Sequence, residues 1–230
     1  MSETLVIDDL VFELRRSPRR KTVEITVDRE GELILSAPSD SPVEQLEQVA
    51  RDKRFWIYTK LALKELLFQP PQPKEFISGE SFYYLGRSYR LLLVDAFSGP
   101  ALVLLHGRFR LRRDEQFNAQ QHFIDWYTRH GQPWIERRVR LLEDRIGVEP
   151  GRVQVRDLGF RWGSCGQGGS LNFHWRVVAL PPRIIEYVIA HEMVHLIEPH
   201  HTDVFWRRLE RVIPDLAGRK LWLAHNGSRF

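Results

Sequence analysis

Two histidines and a glutamate at close spacing are the residues of this sequence best suited to chemistry. His191 and His195 lie four residues apart, and Glu192 follows the first of them. In an α-helix, residues four apart share a face, so both imidazoles can converge on one point while the glutamate projects about 100° away. Imidazoles bind a divalent cation such as Zn²⁺, and a neighbouring carboxylate can accept a proton from a water activated by that ion. The spacing therefore indicates metal-assisted hydrolysis.

A catalytic zinc site needs a third protein ligand, and His201 is the candidate that we favour. It lies six residues after His195, the offset found in the metzincin pattern, where a third histidine extends H-E-x-x-H. That pattern has a glycine at the position of Glu198, but here Pro199 can end the helix and turn the chain back. The alternatives for the third ligand are the neighbouring His200, Glu198 and Glu210.

The segment around these residues is predicted to be a buried helix. Residues 184–197 are apolar nearly all the way round a helix, which is typical of an element covered on most sides. Burying an ionised Glu192 without a partner is unfavourable, and a cation with its water supplies that partner. Thr202 or Asp203 is expected to cap the next helix, which should stop at Pro214.

The first half of the chain is predicted to be rich in strands. Alternating or β-branched stretches within 10–38 favour a meander with a turn at Glu30-Gly31, and three more strands are predicted within 81–111. Between them, apolar residues at spacings of three and four predict one helix over 43–67. Prolines then make 68–79 a connector.

The second half is predicted to alternate helices and strands. Residues 114–147 show helical periodicity, which Gly131 and Pro133 should break into two helices. Strands over 153–158 and 170–178 should frame a loop before the metal-binding helix. We therefore predict an α+β fold, with a β-rich N-terminal region over 1–113 and a zincin-like metallopeptidase domain over 114–230.

The composition is typical of an ordinary globular protein, and its basic charge is too evenly spread to indicate a nucleic-acid partner. It has 230 residues, 43% of them apolar, and a formal net charge of +4. The excess is even, since residues 1–113 hold 18 Lys/Arg against 16 Asp/Glu and the remainder holds 16 against 14. A nucleic-acid partner thus has weak support. We expect a cytoplasmic protein that does not enter a membrane, because one unpaired cysteine suits a reducing compartment and no apolar stretch reaches spanning length.

Several short motifs stand out along the chain. They are Phe160-Arg161-Trp162-Gly163-Ser164-Cys165, Leu171-Asn172, Tyr187-Val188, His191 to Leu196, His201-Thr202, Phe205-Trp206 and Pro214-Asp215. In these motifs the sequence resembles the YgjP-like family of predicted metal-dependent hydrolases, which is related to the SprT-like and WLM metallopeptidases. The N-terminal R-R-S-P-R-R-K stretch, the helix ending near Phe55-Trp56-Ile57 and the Gly86-Arg87 turn also fit, so the resemblance covers most of the chain.

The resemblance implies a metallopeptidase with one Zn²⁺ on the three histidines and a peptide or protein substrate. SprT-like and WLM relatives act on DNA-bound proteins, but the even charge adds nothing to that idea. By this hypothesis Glu192 is the catalytic base, and a second group assists the zinc at the developing oxyanion. Candidates for that second group are Arg161, His174, Tyr187 and His200. Candidates for substrate contacts are Arg161, Asn172, His174 and His200, and the strand over 170–178 is the candidate to hold an extended substrate.

Two other interpretations stay open from the sequence. Cys165 could replace a histidine, since two histidines and a cysteine around H-E-x-x-H resemble the peptide deformylases. Alternatively, the metal could stabilise a non-catalytic module that binds nucleic acid or protein, although such sites usually close all four positions with protein ligands.

Overall fold

The computed structural model of the chain describes residues 3–27, 32–67, 74–95, 98–159 and 161–230. The chain folds into two compact units, Met1–Pro70 and Pro71–Phe230, and each has its own hydrophobic core. The expected turn at Glu30-Gly31, the 68–73 part of the expected connector and Phe160 lie outside the described residues. None of the helices in the described ranges combines the length and the apolar character that a bilayer crossing requires.

The first unit contains a four-stranded sheet with one buried face. Its strands are β1 (Glu3–Ile7), β2 (Leu10–Ser17), β3 (Glu24–Val27) and β4 (Leu33–Pro38). Along β2, Phe12 and Leu14 are buried while Val11 is exposed, as expected for a strand with one face in a core. The order is β1-β2-β4-β3, with β2 and β4 parallel. The predicted meander is therefore wrong, because alternation identifies strands but not their partners. Strand β1 was not predicted.

Two helices complete the first unit where one was predicted. They are α1 (Val43–Asp52) and α2 (Arg54–Leu67). The predicted helix over 43–67 is interrupted at Lys53, whose φ of −94° and ψ of 2° depart from helical values. Leu46 and Ile57, on either side of this break, are both buried in the same core. The apolar periodicity thus continues past an interruption that it cannot reveal.

The second unit begins with another four-stranded sheet. Its strands are β5 (Ser81–Tyr84), β6 (Arg87–Val94), β7 (Leu102–Leu105) and β8 (Arg108–Arg112), in the order β5-β6-β8-β7. Phe82 of this sheet stacks on Phe123, and Phe109 packs edge-on against Trp126, both in the helix that follows. The sequence placed a division after residue 113. The structure instead groups this sheet with the C-terminal helices because they share one core.

A single long helix, α3 (Ala119–Ile146), replaces the two helices predicted over 114–147. Pro133 lies inside it, and Gly131 packs where a Cβ would be 2.6 Å from Val178 Cγ1. Because buried residues run along the whole helix, packing outweighs the hydrogen bond that Pro133 removes. The glycine marks a close approach and not a break.

A small sheet and three helices form the rest of the second unit. They are β9 (Val153–Arg156), β10 (Gly163–Cys165), β11 (Leu171–His174), α4 (Pro182–Val194), α5 (Asp203–Val212) and α6 (Leu216–Asn226). Short 3₁₀ helices cover Arg113–Asn118, Gln167–Gly169, Trp175–Ala179 and Gly227–Arg229. The sheet order is β10-β11-β9, so β11 is central and β10 is an edge strand. The strand predicted over 170–178 ends at His174, and β10 lies in the segment predicted as a loop.

Candidate metal centre

Helix α4 carries the first two histidines through the core of the second unit. Nine of its thirteen residues are buried, in agreement with the apolar pattern. Pro182 occupies the first helical turn, where a missing N–H is tolerated. The β5–β6 turn holds this start in place, since a Cβ on Gly86 would be 2.8 Å from Pro181 Cα. The helix therefore begins at a defined point and presents His191 and Glu192 one turn before its end.

The chain after α4 returns His201 to the helix. Glu198 directs its N–H to the carbonyl of Val194 at 2.9 Å, which closes the end of the helix. The Glu198 carbonyl accepts a hydrogen bond from Nδ1 of His195 at 3.0 Å. That bond leaves Nε2 of His195 with its lone pair free to act as a ligand. Thr202, one of the two predicted caps, then caps α5 by accepting the N–H of Phe205 at 3.5 Å.

The three predicted ligand atoms meet at one place. His201 Nε2 lies 3.1 Å from His195 Nε2 and 3.0 Å from His191 Nε2. All three nitrogens lie within 4.8 Å of one another, whereas the other candidates His200, Glu198, Glu210 and Cys165 are not part of this group. Three imidazole nitrogens around one point are the donor set of a catalytic zinc site.

The surroundings keep these imidazoles neutral, which is the state that binds a metal. Burial, together with the neighbouring charges of His195, His201 and Lys220, lowers the pKa of His191 to about 3. Burial is also the main cause that lowers the pKa of His195 and of His201. Phe205 has its ring within 4.9 Å of all three imidazole rings. The residues present thus fit a divalent cation, because neutral rings direct lone pairs toward a common point.

Glu192 lies beside the histidines and against the edge strand β10. It is 8% exposed, and burial raises its pKa to about 7. A hydrogen bond from the N–H of Cys165 and the charge of Arg161 act in the opposite direction. A Cβ on Gly163 would lie 2.7 Å from Glu192 Cγ and 2.9 Å from its Oε1. The glycine therefore provides the room in which the carboxylate sits.

The backbone of β10 has one side facing Glu192. The carbonyl of Trp162 accepts the N–H of His174, and the N–H of Gly166 donates to the carbonyl of Ser170. Because backbone groups alternate along a strand, Gly163 and Cys165 direct theirs away from β11. The hydrogen bond from Cys165 to Glu192 agrees with this arrangement. The free edge of β10 thus borders the candidate metal centre.

Comparison with known protein families decides the relationship of the chain. The sequence model of the YgjP-like metallopeptidase domain matches residues 21–226. The chain belongs to the YgjP-like family. This membership supports a metal-dependent peptidase in general, and with it a hydrolase that acts on peptides or proteins.

Comparisons of this YgjP-like protein with solved structures and with curated proteins add little to the family assignment. A solved structure, the metallopeptidase zymogen abylysin of Pyrococcus abyssi, is 26% identical over 36% of this chain and 85% of that chain. The TM-score is 0.34, so the two overall structures are not shown to be alike. Comparison with curated proteins finds no match.

The predicted substrate contacts of the YgjP-like domain fall into two groups. Arg161 and His200 are exposed beside the centre. Asn172 and His174 are buried in β11, where His174 accepts the N–H of Arg176 and lies 3.4 Å from an Asp157 carboxylate oxygen. Since β11 is paired on both sides, it is not the strand that can add a substrate strand. The free edge belongs to β10.

Some features of the site were not foreseen from the sequence. Tyr187 was named as a possible donor, and its hydroxyl has a pKa raised to about 12 by burial and by the charge of Glu192. Gly163 was noted only as part of a motif, and Cys165 only as an alternative metal ligand, so the contacts of both with Glu192 were not predicted. Nothing in the sequence indicated that Lys220 lies near the site, since it belongs to α6, far from the motif along the chain.

Proposed function

We propose that this protein is a zinc-dependent metallopeptidase in which His191, His195 and His201 hold one Zn²⁺ and Glu192 is the general base. The observation that carries the proposal is the convergence of three neutral imidazoles next to a buried carboxylate. Zinc bound there supplies the positive charge that polarises a water molecule and a peptide carbonyl.

Glu192 is suited to take and return a proton near neutral pH. Burial raises its pKa to about 7, so proton gain and loss are both accessible. The N–H of Cys165 holds the carboxylate in one orientation, and Gly163 leaves space for it. Glu192 accepts the proton of the attacking water and then delivers it to the leaving amine.

The substrate is proposed to bind as an extended strand along the free edge of β10. The main-chain groups of Gly163 and the carbonyl of Cys165 face that side and are the groups proposed to pair, since the N–H of Cys165 bonds Glu192. Main-chain pairing accepts many sequences. Arg161 and His200 remain proposed substrate contacts because they are exposed beside the centre. The single unpaired Cys165 suits a reducing compartment, so a cytoplasmic location is also proposed.

Metal analysis and turnover of matched variants test the function. Glu192→Gln should keep one zinc per chain and lose at least about 100-fold in peptide cleavage, because only the base is removed. Cys165→Ala should keep both zinc and most activity, since its backbone and not its thiol contacts Glu192. Full turnover in Glu192→Gln would exclude the mechanism. Loss of zinc in Cys165→Ala would instead favour a deformylase-like ligand set.

A further inference from the structure

Lys220 is a cation beside the candidate metal centre that the mechanism above does not use. Its Nζ lies 4.1 Å from the centre of the Trp206 ring. Trp206 in turn stacks on His201, with ring centres 5.5 Å apart and an angle of 20° between the planes. These two distances place the ammonium within about 10 Å of the His201 ring.

The position of Lys220 is set by the residue before it. Arg219 is largely buried and directs Nη1 to the carbonyl of Arg183 at 2.8 Å and to the carboxylate of Glu186 at 2.9 Å, both on α4. Its Nε also bonds Asp215 at 2.8 Å. Helix α6 is therefore fastened to the helix that carries His191, and this attachment fixes the backbone from which Lys220 projects.

Lys220 differs from neighbouring cations in having no acidic partner. Arg208 pairs with Glu198 at 3.2 Å, and Arg219 pairs with two carboxylates. Among the residues that the structure describes, Lys220 forms no ion pair, and its ammonium lies over the face of Trp206. Its charge lies close to the centre, because the Trp206 ring beneath it stacks on His201 with ring centres 5.5 Å apart. An uncompensated positive charge next to a cation site favours an anionic ligand.

We propose that Lys220 and Trp206 form a subsite that binds a carboxylate of the peptide substrate. This inference rests on the proposed peptidase function and names a substrate class for it. An extended peptide advances about 3.3–3.6 Å per residue, so the carboxylate belongs within about three residues of the scissile bond. An acidic side chain and a free C-terminus offer the same group.

Binding to an inactive enzyme tests the subsite separately from catalysis. The protein is the zinc-loaded Glu192→Gln chain, and the readout is fluorescence anisotropy of short labelled peptides of alanine, serine and leucine. One peptide carries an internal Glu and an amidated end, the second an internal Gln and a free C-terminal carboxylate, and the third has neither charge. Tighter binding of the first or of the second identifies the source of the carboxylate.

The expected preference is about fivefold to tenfold over the neutral peptide, as for a charge-assisted contact that solvent partly screens. Adding Lys220→Met should abolish this preference, and Lys220→Arg should retain it. Lys60→Met is the matched control, because Lys60 also lies over a tryptophan ring, that of Trp56, but in the first unit. The preference should also shrink in high salt.

The possible results of these experiments distinguish failure of the proposed subsite from failure of the proposed peptidase function. Equal binding of the three peptides, no measurable binding of any, or a preference that survives Lys220→Met would overturn the subsite. Peptide turnover is measured independently on the wild-type chain. A carboxylate preference without wild-type turnover would leave the subsite standing and contradict only the peptidase function.

Discussion

Replacing Gly163 with alanine tests how the general base is held. Gly163 has no positive φ, so the backbone itself accepts alanine without strain. The added methyl group would lie 2.7 Å from Glu192 Cγ, 2.9 Å from Oε1 and 3.0 Å from Cδ. Carbon atoms in contact normally sit about 3.5–4.0 Å apart, so the carboxylate must move by about 1 Å. Space, and not backbone conformation, is the reason for the glycine.

The expected result is a catalytic defect with a small loss of stability. A displacement of about 1 Å at a reacting group costs roughly 100-fold in rate, which corresponds to about 2.7 kcal/mol of barrier. Overpacking should lower the free energy of unfolding by about 1–3 kcal/mol. Zinc content should not change, since the three histidines are untouched. The displaced Glu192 also loses the hydrogen bond from Cys165 that lowers its pKa, so the acid limb of the pH–rate profile should move to higher pH.

A second glycine in the same segment provides the matched control. A Cβ on Gly166 would lie 2.6 Å from Ser170 Oγ, a similar overlap that does not involve Glu192. The Ser170 hydroxyl can rotate away, so Gly166→Ala should keep activity within about threefold of the wild type. The assay is peptide turnover across pH, with zinc analysis and thermal unfolding of both variants. Unchanged turnover in Gly163→Ala, or an equal loss in Gly166→Ala, would refute the reasoning.

Two further predictions concern the charges and ligands of the centre. In the metal-free protein, the Glu192 carboxyl keeps its proton up to about pH 7 when folded but only to its ordinary value of 4.5 when unfolded. The Glu192 contribution to the free energy of unfolding should therefore fall by about 3 kcal/mol as pH rises through that window. The three histidines, whose pKa values are lowered, contribute in the opposite direction in both proteins, so the fall is read as the change in the stability difference between the wild type and Glu192→Gln. Denaturant unfolding with a chelator checks this, and equal stability of the two proteins at pH 8 would contradict it. His201→Ala should weaken zinc binding by more than about 100-fold, whereas His200→Ala should change it less than about threefold, because only His201 faces the other two rings. Competition with a chromophoric chelator measures both affinities, and similar losses would argue against the assignment of the third ligand.

Local pattern in the sequence determined the elements that carry the metal centre. The apolar stretch over 184–197 predicted helix α4, and the observed helix spans Pro182–Val194. Thr202 was one of two predicted caps of α5 and is the observed one. His201 returns to the helix as predicted, although α4 ends at Val194, before Pro199. These signals act between residues close together in the chain, where periodicity, capping and restricted backbone angles operate.

The tertiary structure alone decided which distant residues meet. The sequence could not show that β2 pairs in parallel with β4, or that α3 continues through Pro133, because both depend on burial supplied by other elements. Gly163 and Glu192 are 29 positions apart, and nothing local indicates that one makes room for the other. Lys220 reaches the centre only because Arg219 fastens α6 to α4. Spacing along the chain thus identified the groups able to do chemistry, while packing between distant segments established their neighbours and the charge around them.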